Sequence, residues 1–314
     1  MKSLTIGIAA YNEEASIGPL LDSLLKQKLG RVKLDTIVVC NDVSSDKTAQ
    51  ILARYLSPVK VLTNKKRMGK GPSVDRMIST VRSDILVILD ADIEIRDPCC
   101  IEKLIQPILK RNVDLTSARV QALPAHSVIG KLLASGMEFK RSLFKEFRQS
   151  QSIYTCHGRI RGFSRRLYTR LNFAPYTIED GYSYLYCMKN GFAYEYVDDT
   201  CVYFMLPQRL EDHLKQSQRF IQSMKELNDA FGKEYVTSQY RFTMATVIQA
   251  IGRKVRSNRR EFFKLLPNFV GYLLVLLISL LHGIVSKVRP HHVYDVSKSS
   301  KLTSASQYIQ KDGT

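Results

Sequence analysis

Short apolar segments alternate with amphipathic ones through the first third of the chain, and this alternation constrains the fold more than any other feature. The apolar segments, which have the pattern of buried strands, are residues 4–10, 35–40, 59–62 and 85–90. Between them, residues 14–28, 46–55 and 71–81 have the apolar spacing of helices. Strands that alternate with helices form a parallel sheet with helices on both faces. We therefore predict an α/β fold with a mostly parallel central sheet.

The rest of the chain has a different organisation. Its patterns predict helices over residues 99–111, 127–147 and 210–229, and strands over 114–120, 193–197 and 200–204. A chain of 314 residues can hold one large α/β domain and an appendage. We place the domain at residues 1–230, a basic amphipathic interfacial segment at 231–268, a transmembrane helix at 269–288 and a polar tail at 289–314.

Membrane attachment is predicted from the C-terminal third of the chain. No residue between 265 and 286 carries a formal charge, and about 20 apolar residues are enough to cross a bilayer. Basic residues crowd positions 253–260 just before this stretch, and basic flanks stay on the cytoplasmic side. We expect a single C-terminal span in the cell membrane and a cytoplasmic catalytic domain. A buried core helix and a hairpin in one leaflet are the alternatives.

The formal net charge of +18 at pH 7 indicates an anionic partner. Nucleic acid, anionic lipid and an anionic substrate all qualify, but the basic residues lie beside the apolar stretch, which favours a membrane surface. No segment resembles a nucleic-acid recognition motif, so we predict no nucleic-acid partner. The six cysteines lack Cys-x-x-Cys spacing and are typical of reduced thiols in a cytosolic domain.

Two carboxylates stand where the fourth predicted strand ends. Asp90 and Asp92 follow the apolar run 85–88, and open α/β sheets bind ligands at the carboxyl ends of their strands. Mg²⁺ and Mn²⁺ prefer oxygen ligands, and Mg²⁺ is usually held by one or two carboxylates together with substrate phosphates. The pair therefore predicts a metal-bound diphosphate.

Polar residues also follow the other predicted strands. Residues 11–14 read Tyr-Asn-Glu-Glu, which offers a ring and acceptors to a nucleotide base, and Asp42 follows the second strand. The loop 64–71 is basic, contains two glycines and precedes a helix, so its cations and backbone N–H groups would face phosphates. Together these strand ends predict a site for one anionic nucleotide.

The order of these motifs resembles that of the family 2 glycosyltransferases, which have the GT-A nucleotide-sugar-binding fold. The matching motifs are Tyr-Asn-Glu-Glu at 11–14, Asn-Asp-x-Ser-Ser-Asp-x-Thr at 41–48, Gly-Lys-Gly at 69–71, Leu-Asp-Ala-Asp at 89–92, Glu-Asp-Gly at 179–181 and Gln-Ser-Gln-Arg-Phe at 216–220. The resemblance covers roughly residues 4–222. Among the members of this family, the chain resembles the membrane-associated processive ones, such as the catalytic domains of cellulose, hyaluronan and chitin synthases.

This resemblance implies a set of donor-binding residues. Contacts with the nucleoside are implied for Tyr11, Glu13 and Asp42, a contact with the diphosphate for Lys70, and further donor contacts for Gln216 and Arg219. Asp90 would hold the ribose or a metal-bound water, and Asp92 would bind the divalent cation, Mg²⁺ or Mn²⁺.

The resemblance also implies a catalytic base and an acceptor side. Asp180 matches the family's catalytic base, and the implied acceptor-side residues are Glu179, Phe220 and Arg161. Three positions depart from the pattern of processive members. Phe220 replaces a tryptophan, Ile178 stands where many relatives have threonine, and Asp75 stands where many have asparagine. Because Phe220 lacks the indole N–H donor, processivity does not follow from the resemblance.

The implied function is an inverting, metal-dependent transfer from a nucleotide-sugar, taken to be a UDP-sugar, to a hydroxyl of a polysaccharide or glycolipid. A polyprenyl phosphate is the alternative acceptor, because its charge would suit the arginines between 159 and 166. A non-catalytic nucleotide-sugar-binding subunit would be expected to lack Asp92 or Asp180, and a nucleotidyltransferase would need a Gly-rich basic loop after the first strand. One span is too little to form a polysaccharide channel, so other membrane subunits are candidate partners.

Overall fold

An eight-stranded mixed sheet forms the centre of the molecule. The computed structural model describes residues 1–285 except 56, 243 and 258, together with residues 300 and 301. The strands are β1 (Lys2–Ala10), β2 (Val32–Asn41), β3 (Val59–Thr63), β4 (Ile85–Asp90), β5 (Ile93–Glu94), β6 (Leu115–Ala122), β7 (Ile160–Ser164) and β8 (Tyr194–Phe204). Their order across the sheet is β3-β2-β1-β4-β7-β6-β8-β5.

Eleven α-helices are found in the described ranges. They are α1 (Ile17–Leu25), α2 (Thr48–Leu52), α3 (Lys70–Thr80), α4 (Cys100–Lys110), α5 (Val128–Glu146), α6 (Arg165–Tyr168), α7 (Glu179–Lys189), α8 (Leu210–Phe231), α9 (Lys233–Tyr240), α10 (Met244–Ser257) and α11 (Arg259–Val285). Most of them pack on the two faces of the sheet, as the sequence predicts.

The first half of the sheet is parallel, which confirms the alternation found in the sequence. β1 pairs with β2 and β4, and β2 pairs with β3, all in parallel register. The inward residues of β1 are fully buried because helices cover both faces of the sheet. Helix α1 begins at Ile17 and not at residue 14, because the preceding backbone binds elsewhere: Glu13 N donates to Thr48 Oγ1 at 2.7 Å and Glu14 N to Asp46 Oδ2 at 3.1 Å.

The second half of the sheet is mixed and differs from the prediction. β7 runs antiparallel between β4 and β6, and β8 is one continuous strand where two were predicted. The sequence pattern hides β7 because it is only five residues long and has Arg161 at a buried position. Helix α7 was not predicted either, because its tyrosines alternate at 182, 184 and 186 as in a strand, whereas the helix is buried on several sides.

Two hydrophobic clusters fill the faces of the sheet. One lies on the side of α1 and α4 and includes Ile6, Leu21 and Leu104; the other lies on the side of α3 and α7 and includes Val74, Phe163 and Tyr184. All six cysteines are free thiols, and five of them are buried, in agreement with the sequence prediction.

The C-terminal helices form a separate layer beside the sheet. Helix α11 packs on α5 and α8 through a small cluster that includes Leu133, Tyr272 and Val275. In the described ranges, no helix has both the length and the apolar character needed to cross a membrane, so the span predicted at 269–288 is not confirmed. Most of the predicted polar tail lies outside the described residues.

Candidate active site

The carboxyl ends of β1, β2 and β4 open into one cavity of about 530 Å³. The structure brings together eleven of the twelve residues singled out in the sequence: the lining includes Tyr11, Glu13, Asp42, Lys70, Asp90, Asp92, Glu179, Asp180, Gln216, Arg219 and Phe220. Arg161 is the exception. The strand ends and helices α7 and α8 thus converge on a single concave site, which is the usual geometry of a ligand-binding crevice in an α/β protein.

Tyr11 and Asp42 form one end of this cavity. The guanidinium of Arg67 lies 3.8 Å from the centre of the Tyr11 ring. Asp42 is 4% exposed, and its Oδ1 accepts from Asn64 Nδ2 at 2.6 Å and from Met68 N at 2.8 Å, while Oδ2 accepts from Gly69 N at 2.8 Å. Asp42 therefore holds the basic loop in place, in addition to any contact it makes with a ligand.

Glu13 is a buried carboxylate in the same loop as Tyr11. It is 9% exposed, and its Oε2 accepts from Ser16 Oγ at 2.8 Å. Burial raises the pKa of Glu13 to about 7, with a contribution from the nearby Asp92, although Lys301 opposes the shift. The Glu13 carboxyl group is therefore only partly ionised near pH 7, and Lys301 favours its ionised form.

Lys70 links two acidic residues in the middle of the cavity. It is the first residue of α3, and its Nζ contacts Oδ1 of Asp90 and Oε1 of Glu179. Burial alone would raise the pKa of Glu179, but Lys70 and Arg161 lower it overall. Glu179 is therefore ionised and serves as the counter-ion of two cations.

The predicted acceptor contact of Arg161 is wrong, because its side chain is fully buried. The guanidinium donates to Glu179 O at 2.9 Å, to Ser183 Oγ at 2.8 Å and to Glu179 Oε1 at 3.2 Å. Strand β7 is covered by α7 on this face, so Arg161 contacts that helix instead of an acceptor. Its place in the structure is beneath the cavity, where it fixes the N-terminus of α7 and the orientation of Glu179.

Replacing Arg161 by methionine is expected to lower the free energy of unfolding by about 3 kcal/mol, because loss of one partner of a buried ion pair leaves the other poorly compensated. Urea denaturation measures the change. Arg165→Met, which replaces an exposed arginine four positions later, is the control and should change stability by less than about 0.5 kcal/mol. Equal stability of the two variants would contradict a structural role for Arg161.

Asp180 lies in the first turn of α7 and faces the cavity. Its Oδ2 accepts from Gly158 N at 3.0 Å and its Oδ1 from Gly181 N at 2.8 Å. Burial and the neighbouring Glu179 carboxylate raise the pKa of Asp180, although Arg161 and Lys70 oppose the shift. A carboxylate that is fixed in orientation and has a raised pKa is suited to general base catalysis.

Asp90 and Asp92 are the residues that could hold a divalent cation. Asp90 ends β4, and Asp92 lies two positions beyond it. Burial and the charge of Asp90 raise the pKa of Asp92. The described residues contain no group of three His, Cys, Asp or Glu side chains that could hold a metal. Two carboxylates together with substrate phosphates are the usual ligands of Mg²⁺, so the chemistry of the pair fits Mg²⁺ or Mn²⁺.

Aromatic side chains form the other end of the cavity. Phe220 on α8 is 46% exposed and lies edge-on to Tyr240, with ring centres 6.2 Å apart. Tyr154 also lines the cavity, and its ring centre is 5.6 Å from that of Tyr240. Neither tyrosine was singled out in the sequence, because each belongs to a segment with no recognisable motif.

Three further residues of the cavity, each basic or titratable, were not predicted individually as site residues from the sequence. They are Arg67, His157 and Arg159. Burial lowers the pKa of His157 to about 3, so its ring is neutral. Arg159 lies 3.4 Å above the centre of the Phe204 ring. The loops that carry these residues were recognised as basic, but composition alone does not tell which side chains face the cavity.

The chain matches the model of the family described as "Glycosyl transferase family 2" over residues 5–171. It is also 32% identical over 117 residues to a dolichyl-phosphate beta-glucosyltransferase of Trichomonas vaginalis, covering 34% of this chain and 36% of that protein. A processive diacylglycerol beta-glycosyltransferase of Mycoplasma pneumoniae is 28% identical over 119 residues, covering 36% of this chain and 34% of that protein. The match thus spans about a third of the length of these curated relatives.

Solved structures share the fold. A mannosyltransferase from Pyrobaculum calidifontis in complex with GDP-Man and Mn²⁺ has a TM-score of 0.59 and 14% identity, covering 91% of this chain and 88% of that one. Glucosyl-3-phosphoglycerate synthase from Mycobacterium tuberculosis in complex with Mn²⁺ and UDP-Glc has a TM-score of 0.55 and 22% identity, covering 74% and 79%. The predicted GT-A architecture is confirmed, apart from the membrane span. Because the family model covers more than half of the chain and its motifs line the cavity, the chain belongs to glycosyl transferase family 2.

Proposed function

We propose that this glycosyltransferase moves a sugar, with inversion, from a nucleotide-sugar to a hydroxyl group of a lipid-linked or glycan acceptor at a membrane surface. The observation that carries the proposal is the presence of two kinds of carboxylate in one cavity. Asp90 and Asp92 can hold the metal-bound diphosphate of the donor, and Asp180 has the fixed orientation and raised pKa of a base. A non-catalytic binding subunit would not need Asp180.

In this proposal the donor lies along the ends of β1, β2 and β4. Tyr11 and Glu13 contact the nucleoside, and Lys70 and Arg219 face the diphosphate. Mg²⁺ or Mn²⁺ held by Asp92 and the diphosphate would offset the negative charge that develops on the leaving group. UDP is the nucleotide that we expect.

The chemical step needs one base. Asp180 accepts the proton of the acceptor hydroxyl as the acceptor oxygen forms its bond to the anomeric carbon, and the bond from that carbon to the diphosphate oxygen breaks. Lys70 and Arg219 stabilise the negative charge on the departing nucleoside diphosphate. Because the attack comes from the side opposite the leaving group, the configuration at the anomeric carbon is inverted.

The charges around the cavity favour a hydroxyl acceptor over a polyprenyl phosphate. Of the arginines between 159 and 166, only Arg159 lines the cavity. Arg161 is buried under Glu179, and Arg166 donates to both oxygens of Asp114, at 3.0 Å and 2.6 Å. A phosphate acceptor is already anionic and needs no base, whereas a hydroxyl acceptor makes use of Asp180.

An acceptor with a lipid part suits the aromatic end of the cavity. Phe220, Tyr240 and Tyr154 follow one another there, and Tyr154 stacks on Phe242 with ring centres 4.6 Å apart. These rings offer an apolar surface close to Asp180. The names of two curated relatives refer to lipids: diacylglycerol offers a hydroxyl group and supports the proposed acceptor, whereas dolichyl phosphate is a polyprenyl phosphate and supports the alternative.

Helix α11 supports attachment to a membrane surface. It buries Tyr272, Val275 and Ser279 and leaves large apolar side chains exposed on its other faces: Val270, Leu273, Leu274, Leu276, Leu277, Ile278, Leu280 and Leu281. Exposed arginines at 253, 256, 259 and 260 lie on α10 and at the start of α11. A helix with exposed apolar residues and adjacent basic residues can lie in the headgroup region of anionic lipid.

The double variant Leu274→Glu/Leu277→Glu is expected to bind vesicles of phosphatidylcholine and phosphatidylglycerol at least about tenfold more weakly than the wild type, because burial of one leucine contributes roughly 1.5–3 kcal/mol. Co-sedimentation measures the partition coefficient. Leu25→Glu/Met188→Glu changes two residues that are 44% and 40% exposed on α1 and α7, and should bind as the wild type does. Equal loss in both variants would exclude α11 as the membrane-binding surface.

A screen of donors and acceptors tests the proposed function. The purified full chain is incubated with Mn²⁺ and a panel of UDP- and GDP-sugars, with diacylglycerol, polyprenyl phosphate or soluble glycans as acceptor. We expect nucleoside diphosphate release that depends on one donor and on a hydroxyl acceptor. Release with polyprenyl phosphate alone would support the alternative acceptor, and no release with any pair would contradict the enzymatic function.

A further inference from the structure

The side chain of Lys301 reaches the loop that follows β1, although it comes from the other end of the sequence. Its Nζ donates to Tyr11 O at 2.8 Å and also contacts Asn12 O and Oε1 of Glu13. The side chain is only 18% exposed. One ammonium group thus binds three successive residues, two of which, Tyr11 and Glu13, line the proposed donor cavity.

The loop is also held by the segment after β2. Asn12 N donates to Ser44 Oγ at 3.0 Å, and Asn12 Oδ1 accepts from Ser45 N at 2.8 Å. Asn12 has a positive φ of 54°, a conformation that needs support from its surroundings. Lys301 adds hydrogen bonds to the carbonyl groups of Tyr11 and Asn12, so two parts of the chain hold the loop.

Lys301 approaches the loop from outside the donor cavity. It lines a second cavity of about 640 Å³, which shares Tyr11, Glu13 and Arg67 with the first. Lys301 is not among the residues that line the first cavity. Its ammonium group can therefore stay in place while a nucleotide binds.

We propose that Lys301 is a positioning residue that holds Tyr11 and Glu13 in the conformation that binds the donor nucleotide. The inference rests on the proposed function, because it assigns Lys301 to the nucleoside end of the same site. The buried carboxylate of Glu13 needs a cation, and Lys301 is the lysine in contact with it. Without that cation, Glu13 would take up a proton or turn away, and the backbone carbonyl groups of Tyr11 and Asn12 would each lose a hydrogen bond.

Lys301→Ala is expected to raise the dissociation constants of UDP or GDP, in the presence of Mn²⁺, by about tenfold, the effect of losing roughly 1.4 kcal/mol. The KM for the donor should rise by a similar factor, while kcat at saturating donor stays close to the wild-type value. Lys298→Ala removes the same charge from the same tail and is the control. Lys301→Arg, which keeps the cation, should recover part of the affinity.

A pair of shortened chains gives an independent test. A chain that ends at residue 301 should bind nucleotide as the full chain does, and one that ends at residue 299 should bind about tenfold more weakly. Unchanged affinity in Lys301→Ala and in the shorter chain would overturn the inference, and tighter binding would show that the tail competes with the nucleotide. If the wild type binds neither UDP nor GDP, the proposed function fails and the inference fails with it.

Discussion

Asp180→Asn is expected to lower kcat for sugar transfer by about a thousandfold, because general base catalysis contributes typically 10²–10⁴-fold. The amide occupies nearly the same volume as the carboxylate and can still accept from Gly158 N through its oxygen. Donor affinity should therefore change by less than about twofold, since it depends on other residues of the cavity. Steady-state kinetics and titration with nucleoside diphosphate measure the two effects separately.

The control for this variant is Asp229→Asn, which neutralises an exposed carboxylate on α8 and should leave kcat unchanged. If Asp180→Asn transferred sugar at close to the wild-type rate, the base would have to be another group. If it lost nucleotide binding as well, the variant would report on the structure of the site and not on proton transfer.

The pH dependence of the wild type follows from the same residue. Burial and Glu179 raise the pKa of Asp180, and only the ionised form accepts a proton. Activity is therefore lost as the pH falls through this raised pKa. The acidic limb of the kcat/KM profile should lie above the value of about 3.9 for an ordinary aspartate. That limb should be absent from the residual activity of Asp180→Asn.

Asp92→Asn is expected to remove the activation by Mn²⁺ or Mg²⁺ and to lower kcat/KM by at least about a hundredfold, which corresponds to roughly 2.7 kcal/mol. An amide oxygen is a weaker ligand than a carboxylate for a hard cation. Oδ1 of the neighbouring Asp90 is already in contact with Lys70, so we expect the cation to depend on Asp92 and the diphosphate. Titration with Mn²⁺ at fixed donor concentration measures the loss.

Glu94→Gln is the matched control for Asp92→Asn. Glu94 lies two positions further along the chain, where it contacts Arg96 and does not line the cavity. This variant should respond to Mn²⁺ as the wild type does. A wild-type response in Asp92→Asn would mean that Asp92 is not the metal ligand.

The sequence predicts the parallel half of the fold because each of its strands is apolar and is followed by an amphipathic helix. The same reasoning fails for β7, whose buried Arg161 interrupts an apolar pattern and finds its hydrogen-bond partners in α7. It also fails for α7, where Tyr182, Tyr184 and Tyr186 alternate as in a strand but pack against different neighbours around a helix. In both elements, tertiary contacts override the local pattern.

The candidate site was predictable to the extent that its residues follow strand ends or match family motifs. Asp90 and Tyr11 line the same cavity because β1 and β4 are parallel neighbours, and the sequence predicted that both lie at one edge of the sheet. Lys301 could not be placed in this way, since no local pattern links a polar tail to a loop almost 290 residues away. Arg161 was predicted to be a site residue from its motif position. That position gave no information about which face of β7 the side chain occupies.

Anomalous scattering from Mn²⁺ in crystals of the wild-type protein with its nucleotide-sugar donor is the most direct test of the account. We predict a peak within coordination distance of Asp92 and the diphosphate oxygens, with the anomeric carbon of the sugar facing Asp180. Nucleotide bound in the second cavity, or a manganese ion that does not contact Asp92, would contradict the assignment of this cavity as the sugar-transfer site.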